Sequence, residues 1–421
     1  MPYTTRDGAP AVEDAPAPGR RHTTADASHP AHIARRAHIG ALDGLRGCAV
    51  VAVLLFHAGR LSGGFLGVDL FFVLSGFLIT GLLLQEGGRP RLGAFWERRA
   101  RRLLPALGVL VVVLPLLTWA VGRLDLLRAV RQDTPWVLAQ VVNWHYIGEQ
   151  IGYWNASDTR PFAHLWSIAV EWQFYLVWPL VVVLVGKGRW RVAVVALAGA
   201  LGSLLLMVTF GAAVDTTRAY EGTDTRAFAL LLGAAAATPP VREAVARLPR
   251  RAVDVVCALL LGGLAVAWAV TAGEQAPGLF QGGMFAHSLA CAVLIVLLAG
   301  APDGLAGRAV GSAVPRRLGE LSYSLYLWHW PIYLLLPRQG RLDGWVWTAV
   351  AAGLSLAAAV VSKAAVEDPV RRRARWTTGR RGWAALAAAV TAGAAVWAAV
   401  WAAVPQPEPG AGTVDVSRLE G

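Results

Sequence analysis

Long apolar runs alternate with short, arginine-rich connectors along the chain, and most runs approach the roughly 20 residues that a helix needs to cross a bilayer. Eleven candidate spans follow, at about 41–60, 66–86, 103–122, 162–185, 192–211, 225–238, 253–272, 283–300, 318–337, 344–366 and 383–404, the sixth being short. Residues 1–40, with an Ala-Pro repeat, paired arginines and scattered acids, have no apolar period and read as a disordered tail. No continuous apolar core with a cleavage site marks a cleavable signal there. Residues 371–404 read as a basic linker and the eleventh span, and 405–421 as a polar tail. The expected fold class is an all-α polytopic membrane protein.

Composition agrees with the pattern. The chain has 421 residues, 56% of them hydrophobic and 16% charged, with a mean hydropathy of +0.48, too apolar for a soluble globular protein. A net charge of +12 would point to nucleic acid in a soluble chain. Here the basic residues crowd into alternate connectors: Arg89 to Arg102, Lys187 to Arg191, Arg242 to Arg251, Arg308 to Arg317, and Arg371 to Arg381. Retention of positive charge on the inner side then predicts a plasma-membrane protein with a cytoplasmic N-terminus, loop 123–161 outside and an extracytoplasmic C-terminal tail. No nucleic-acid partner is expected; membrane lipid is. Cys48, Cys257 and Cys291 lie singly in apolar segments and read as small packing residues, with no metal-binding spacing. No metal is expected, and neither a phosphate loop, a dinucleotide-binding turn nor a nucleophile elbow is present.

Candidate chemistry lies where polar residues interrupt the spans. Arg46 and His57 are eleven residues apart, which at about 100° per residue places them on one helix face about 16 Å apart. Ionisable groups in a membrane helix face a bundle interior or a wet cavity, and mark a functional site by default. In the second span, Asp69 either sits at the interface or pairs with an arginine or histidine of the first helix, while Ser75 and Gly76 suit close helix packing. Arg98, Arg99 and Arg102 serve either topology and lipid headgroups or a phosphate-binding cluster, since guanidinium forks grip phosphate oxygens. His164 and Glu171 share a face in the fourth span, with Ser167 and Tyr175 close to the same stripe. The ninth span carries Glu320, Ser322, Tyr323, Tyr326 and His329, with Trp328 and Trp330 reading as interface anchors. Arg226 opens the sixth span and either snorkels or meets substrate.

Together these segments resemble the integral-membrane acyltransferase-3 family. The resemblance rests on Leu42-Asp-Gly-Leu-Arg-Gly47 with His57, Gly67-Val-Asp-Leu-Phe-Phe-Val-Leu-Ser-Gly-Phe-Leu78 and Arg98-Arg-Ala-Arg-Arg102 with Pro105. It continues in His164-Leu-Trp-Ser167 with Glu171 and Phe174-Tyr175, Arg226-Ala-Phe through Gly233, Ser322-Tyr-Ser-Leu-Tyr-Leu-Trp-His329, and Val366-Glu-Asp-Pro369. It spans about 41–370 in order. It implies a ten-helix acyltransferase bundle, here with one additional C-terminal helix, that moves an acyl group from cytoplasmic acyl-CoA, acetyl-CoA foremost, to an acceptor near the outer side. The acceptor would be a hydroxyl of a cell-envelope glycan or of a small molecule. By position, Arg46 and His57 match the family's functional arginine and histidine, Arg98, Arg99 and Arg102 its inner arginine motif, and Glu171 its fourth-span carboxylate. The eleventh span and tail look like the start of a two-domain variant that exports an SGNH-type domain. The tail has no Gly-Asp-Ser block, so such a domain is expected as a separate partner or as a missing part.

The expected mechanism makes His57 the general base for the acceptor hydroxyl, with Glu171 or Asp69 orienting its ring and Arg46 holding pantetheine-side or oxyanion charge. CoA would be bound by Arg98, Arg99 and Arg102, with Ser75 on the donor side, and Arg226, His164, Tyr175 and His329 would meet the acceptor. A route through an acyl-enzyme on Ser75 or His57 stays open beside direct transfer. The rival of another class is a secondary transporter or flippase of a lipid-linked glycan, against which stand the arginine block and the lack of a visible inverted repeat.

Overall fold

A computed structural model of the chain describes residues 29–85, 91–156, 159–186, 188, 190–211, 215–273, 276, 278–338 and 343–403. The terminal segments 1–28 and 404–421, most of the two expected tails, lie outside the described residues. In order, the helices are α1 (His29–His57), α2 (Gly67–Gln85), α3 (Leu92–Ala120), α4 (Leu124–Leu138), α5 (Val142–Gly148), α6 (Tyr153–Ala156), α7 (Trp166–Val185), α8 (Arg191–Phe210) and α9 (Thr217–Glu221). They continue with α10 (Thr223–Ala236), α11 (Pro239–Ala246), α12 (Arg250–Val270), α13 (Met284–Gly300), α14 (Leu305–Val310), α15 (Ala313–Leu335), α16 (Gly344–Ser362), α17 (Asp368–Arg371) and α18 (Gly379–Ala403).

Among the described residues there is no strand, and nine helices are long and apolar enough to cross a membrane. The protein is an all-α polytopic membrane protein. Two expected spans fall outside those nine, each for a physical reason. The sixth is α10, only 14 residues long, and it is buried along most of its length by α8 and α2. With neighbours on several sides it is shielded from lipid. The ninth is α15, which is 23 residues long, but arginine, glutamate, serine, tyrosine and histidine lower its hydropathy; Ser322, Ser324, Tyr326 and His329 are buried within the bundle, where α15 packs on α1 and α16. The outward faces of the bundle are apolar, with Leu184 84% and Leu259 70% exposed, as a lipid-facing surface requires.

Glycines set the two tightest crossings. On α1 and α15, a methyl group at Gly47 would meet the Pro315 carbonyl, and one at Gly319 would meet that of Asp43. On α2 and α10 the relation is reciprocal: Gly76 lies against the Leu230 carbonyl and Gly233 against that of Val73. With no hydrophobic drive between helices in lipid, such backbone approach supplies the packing that holds them. At the edge of the bundle, α18 packs on α3 and reaches α4, where Val400 covers Leu127 and the Arg131 guanidinium lies over the Trp401 ring.

Gly76→Val or Gly233→Val is expected to lower the thermal midpoint in detergent by an overpacking cost of about 1–3 kcal/mol. Gly262→Val, at a position with no neighbour within 4 Å, is expected to leave it in place. Differential scanning fluorimetry with size-exclusion detection distinguishes the two; equal midpoints for Gly76→Val and Gly262→Val would refute the role of the crossing.

Candidate active site

Two polar clusters occupy the bundle interior, joined end to end. The first lines a cleft bounded by Arg46 of α1, Ser75 of α2, Arg99 and Arg102 of α3, Glu171 and Tyr175 of α7, and Tyr323 of α15. Ser75 donates to Glu171 Oε1 at 2.7 Å, and the Tyr175 hydroxyl lies 3.0 Å from Oε2 and 3.2 Å from Ser75 Oγ. The half-buried carboxylate is thereby satisfied by hydroxyls, which offsets its partial loss of water. The Arg99 guanidinium lies over the rings of Phe95 and Tyr175, at 5.7 and 5.6 Å. Its N–H edges remain available, because cation–π contact uses the face of the fork. Among the described residues no carboxylate comes within ion-pairing distance of Arg99 or Arg102. Arg98 is exposed and stands outside the lining of this cleft.

The cleft ends at Ser167 and Tyr326, and there the second cluster begins. Ser167 is 2.8 Å from the Tyr326 hydroxyl, which donates to the His164 carbonyl at 2.8 Å. The His164 and His329 rings stand edge to face with centroids 5.6 Å apart. His329 Nδ1 is 2.7 Å from the Tyr326 carbonyl, His329 Nε2 is 3.0 Å from His57 Nδ1, and His57 Nε2 is 3.0 Å from the Tyr153 hydroxyl. A carbonyl can only accept, so His329 Nδ1 carries the proton. With both rings neutral, His329 Nε2 then accepts from His57 Nδ1–H, which leaves a lone pair on His57 Nε2 to accept from Tyr153. The same rule gives His164 its proton on Nε2, which donates to the Leu327 carbonyl at 3.2 Å. His57 is half-buried, whereas His164 and His329 are buried.

Other expected site residues fall elsewhere. Asp69 and Arg226 form a fully buried ion pair of 2.8 Å between α2 and α10, with Ser288 of α13 at 3.5 Å from the same carboxylate oxygen and Met284 Sδ at 3.3 Å from the guanidinium. Neither touches His57, and Glu171 sits with the arginines, so the ring of His57 is oriented by His329 and Tyr153. Trp330, which reads from sequence as an interface anchor, is buried with its ring 4.8 Å from that of His57. Its indole N–H donates to the Arg160 carbonyl at 3.0 Å. Arg160 is held in turn by Asp133, 2.9 Å away, which also accepts from Tyr146 at 2.9 Å. Burial pushes the Asp133 carboxyl above its ordinary value against the opposing pull of Arg160, and burial with the nearby Asp215 pushes Glu221 well above its own. Tyr153 and Arg160 were missed because they lie in short connecting segments without a helical period, and Asp133, on the buried face of α4, because its partner Arg160 is 27 residues away and that of Tyr153 is 96 residues away.

Hydrogen-bonded and edge-to-face histidines thus meet an arginine-lined cleft inside a polytopic helical bundle. Residues 39–363 match the family described as Acyltransferase domain, and the chain belongs to this family of membrane acyltransferases. It is 34% identical over 354 residues to "O-acetyltransferase OatA" of Staphylococcus aureus, covering 80% of this chain and 58% of that protein. It is 36% identical over 313 residues to "Putative peptidoglycan O-acetyltransferase YrhL" of Bacillus subtilis, covering 71% of this chain and 49% of that protein. The chain thus spans about half the length of the curated relatives it matches. No solved structure matches it.

Removing one member of the buried pair leaves an uncompensated charge in a dry interior, at a cost of about 3–5 kcal/mol. Asp69→Leu and Arg226→Met are therefore each expected to destabilise strongly, and the double variant to recover much of the loss. Thermal midpoints of the three purified proteins test this coupling; additive losses would mean the two side chains act separately.

Proposed function

We propose that this chain is an O-acetyltransferase that takes an acetyl group from acetyl-CoA and passes it to a hydroxyl of a cell-envelope glycan. The observation that carries the reading is the unbroken run from the arginine-lined cleft through Ser167 and Tyr326 to His164, His329 and His57. Family membership and the O-acetyltransferase relatives support the reaction class, and the name of the Bacillus subtilis relative makes peptidoglycan the leading acceptor. Arginine counting supports a cytoplasmic cleft and an outer His57.

In this reading Arg99 and Arg102 hold CoA phosphates, with Arg98 at the rim, and the pantetheine arm follows the cleft past Ser75. Arg46 serves the donor: it lines the cleft, and its place about 16 Å along α1 from His57 puts it out of reach of an oxyanion formed at that ring. The acceptor hydroxyl takes the place of the Tyr153 hydroxyl at His57 Nε2 and attacks the thioester carbon as its proton passes to the imidazole. The resulting imidazolium keeps its Nδ1–H bond to His329. Collapse of the tetrahedral intermediate breaks the C–S bond, and the thiolate recovers the proton as the free thiol. Arg226 and Asp69 act through packing, and Tyr175 and Glu171 shape the donor cleft. His164 lies where the acyl carbon must pass. No metal enters these steps.

A positioned base is worth about 100- to 10,000-fold in rate, so His57→Ala is expected to lose that much transfer while keeping the wild-type elution profile. His329→Phe, which removes the acceptor for His57 Nδ1–H, should lower kcat with little change in the KM for acetyl-CoA, whereas Arg99→Ala should mainly raise that KM. Thiol release from acetyl-CoA in nanodiscs, with wild type alongside, measures all three. Full turnover by folded His57→Ala would overturn the assignment of the base.

A further inference from the structure

His57 ends α1, and at that end two arginines stand with their guanidinium faces laid on tryptophans. Arg60, in the connector after α1, lies 4.8 Å from the centre of the Trp345 ring, and Arg338, in the connector after α15, lies 4.1 Å from that of Trp347. Both rings belong to α16. Arg338 also reaches the His57 carbonyl at 3.5 Å, and Arg60 donates through Nε to Thr348 Oγ1 at 3.3 Å, so both cations are tied to the immediate surroundings of His57.

Two ordinary duties are open to such arginines, and neither uses them fully. Capping the negative end of α1 engages Arg338 alone, through a single long contact. Pairing with a carboxylate engages neither: among the described residues no acid lies within ion-pairing distance of Arg60 or Arg338. Asp343, the one acid of the α15–α16 connector, accepts from the Gly344 backbone N–H as the cap of α16. Stacking fixes the plane of each fork and leaves its N–H edges free, the arrangement that receives an oxyanion in bidentate fashion. Arg60 and His57 are half-buried and Arg338 is exposed, so the edges are accessible at the end of α1 where His57 lies.

We propose that Arg60 and Arg338 form an anion subsite at this end of α1, which receives a carboxylate or phosphate carried by the acceptor glycan close to the hydroxyl that is acylated. The acceptor is accordingly an anionic glycan rather than a neutral one. This deepens the acyl-transfer reading and rests on it for the meaning of the site, but the binding of the anion is measured separately.

The test uses the full chain in nanodiscs of zwitterionic lipid, titrated by tryptophan fluorescence. The probes are a tetrasaccharide of alternating N-acetylglucosamine and N-acetylmuramic acid, and neutral chitotetraose. Wild type is expected to bind the carboxylate-bearing probe about 10-fold more tightly, as one or two charge-assisted contacts at a partly exposed site allow. Arg60→Gln and Arg338→Gln should each reduce that preference several-fold, and added salt should erode it. Because Arg60 makes no contact with α1 carbonyls through its side chain, its variant separates loss of the anion site from disturbance of His57. Equal binding of the two probes by wild type, or a preference that neither substitution changes, overturns the proposal. So does a result in which the substitutions alter only retention of anionic lipid, compared in discs containing phosphatidylglycerol, since the arginines would then serve headgroups. Thioester turnover on the same samples reports on the underlying reading: a wild type without turnover that still prefers the carboxylate keeps the anion site and removes the acyl transfer.

Discussion

The contact on which the site depends is the crossing of α1 on α15. Gly47 lies against the backbone at Pro315 and Gly319, and ten residues further along each helix His57 meets His329. Equal spacing on both helices means that they run parallel and in register across about 15 Å. A side chain at the crossing would push the helices apart at one end and separate the two imidazoles at the other. Close backbone packing near the arginine cleft therefore sets a hydrogen bond at the opposite end of the bundle.

Burial dictates the chemistry of what that crossing assembles. A carboxylate beside His57 would have to be taken out of water, a cost that Glu171 offsets with two hydroxyls and Asp69 with one guanidinium. The ring of His57 is oriented by a neutral imidazole instead. The chain of donors and acceptors that begins at the Tyr326 carbonyl fixes both tautomers without adding a charge to the interior. A neutral His57 with its lone pair on Nε2 is the form a general base requires.

Helical periodicity made one stripe of the site readable in advance. His164, Ser167, Glu171 and Tyr175 follow one another at three and four residues, and the structure sets them along one side of the path from histidines to arginines. Arg46 and His57 were readable as one face for the same reason. What periodicity could not supply was the partner across helices: it left Asp69 between the interface and an arginine or histidine of the first helix, whereas its partner is Arg226 of α10. Tyr153 and Trp330 were hidden for different reasons, the first in a connector without period, the second because a tryptophan at a span end has an ordinary duty at the interface. The shortness of α10 was visible, but that it is enclosed by α2 and α8 depends on contacts between distant segments.

The two ends of the site divide the labour proposed for it. Between the cleft and His57 stand Ser167, Tyr326 and His164, buried and hydrogen-bonded to one another. A thin, flexible arm ending in a small thioester would need to displace less of this packing than a sugar ring would. The acceptor would then have to approach His57 from the opposite end, where Arg60, Arg338 and the α16 tryptophans lie. Only the acyl group need cross the level of the histidines, and the buried ion pair, the glycine crossings and the tautomer chain all hold that level still.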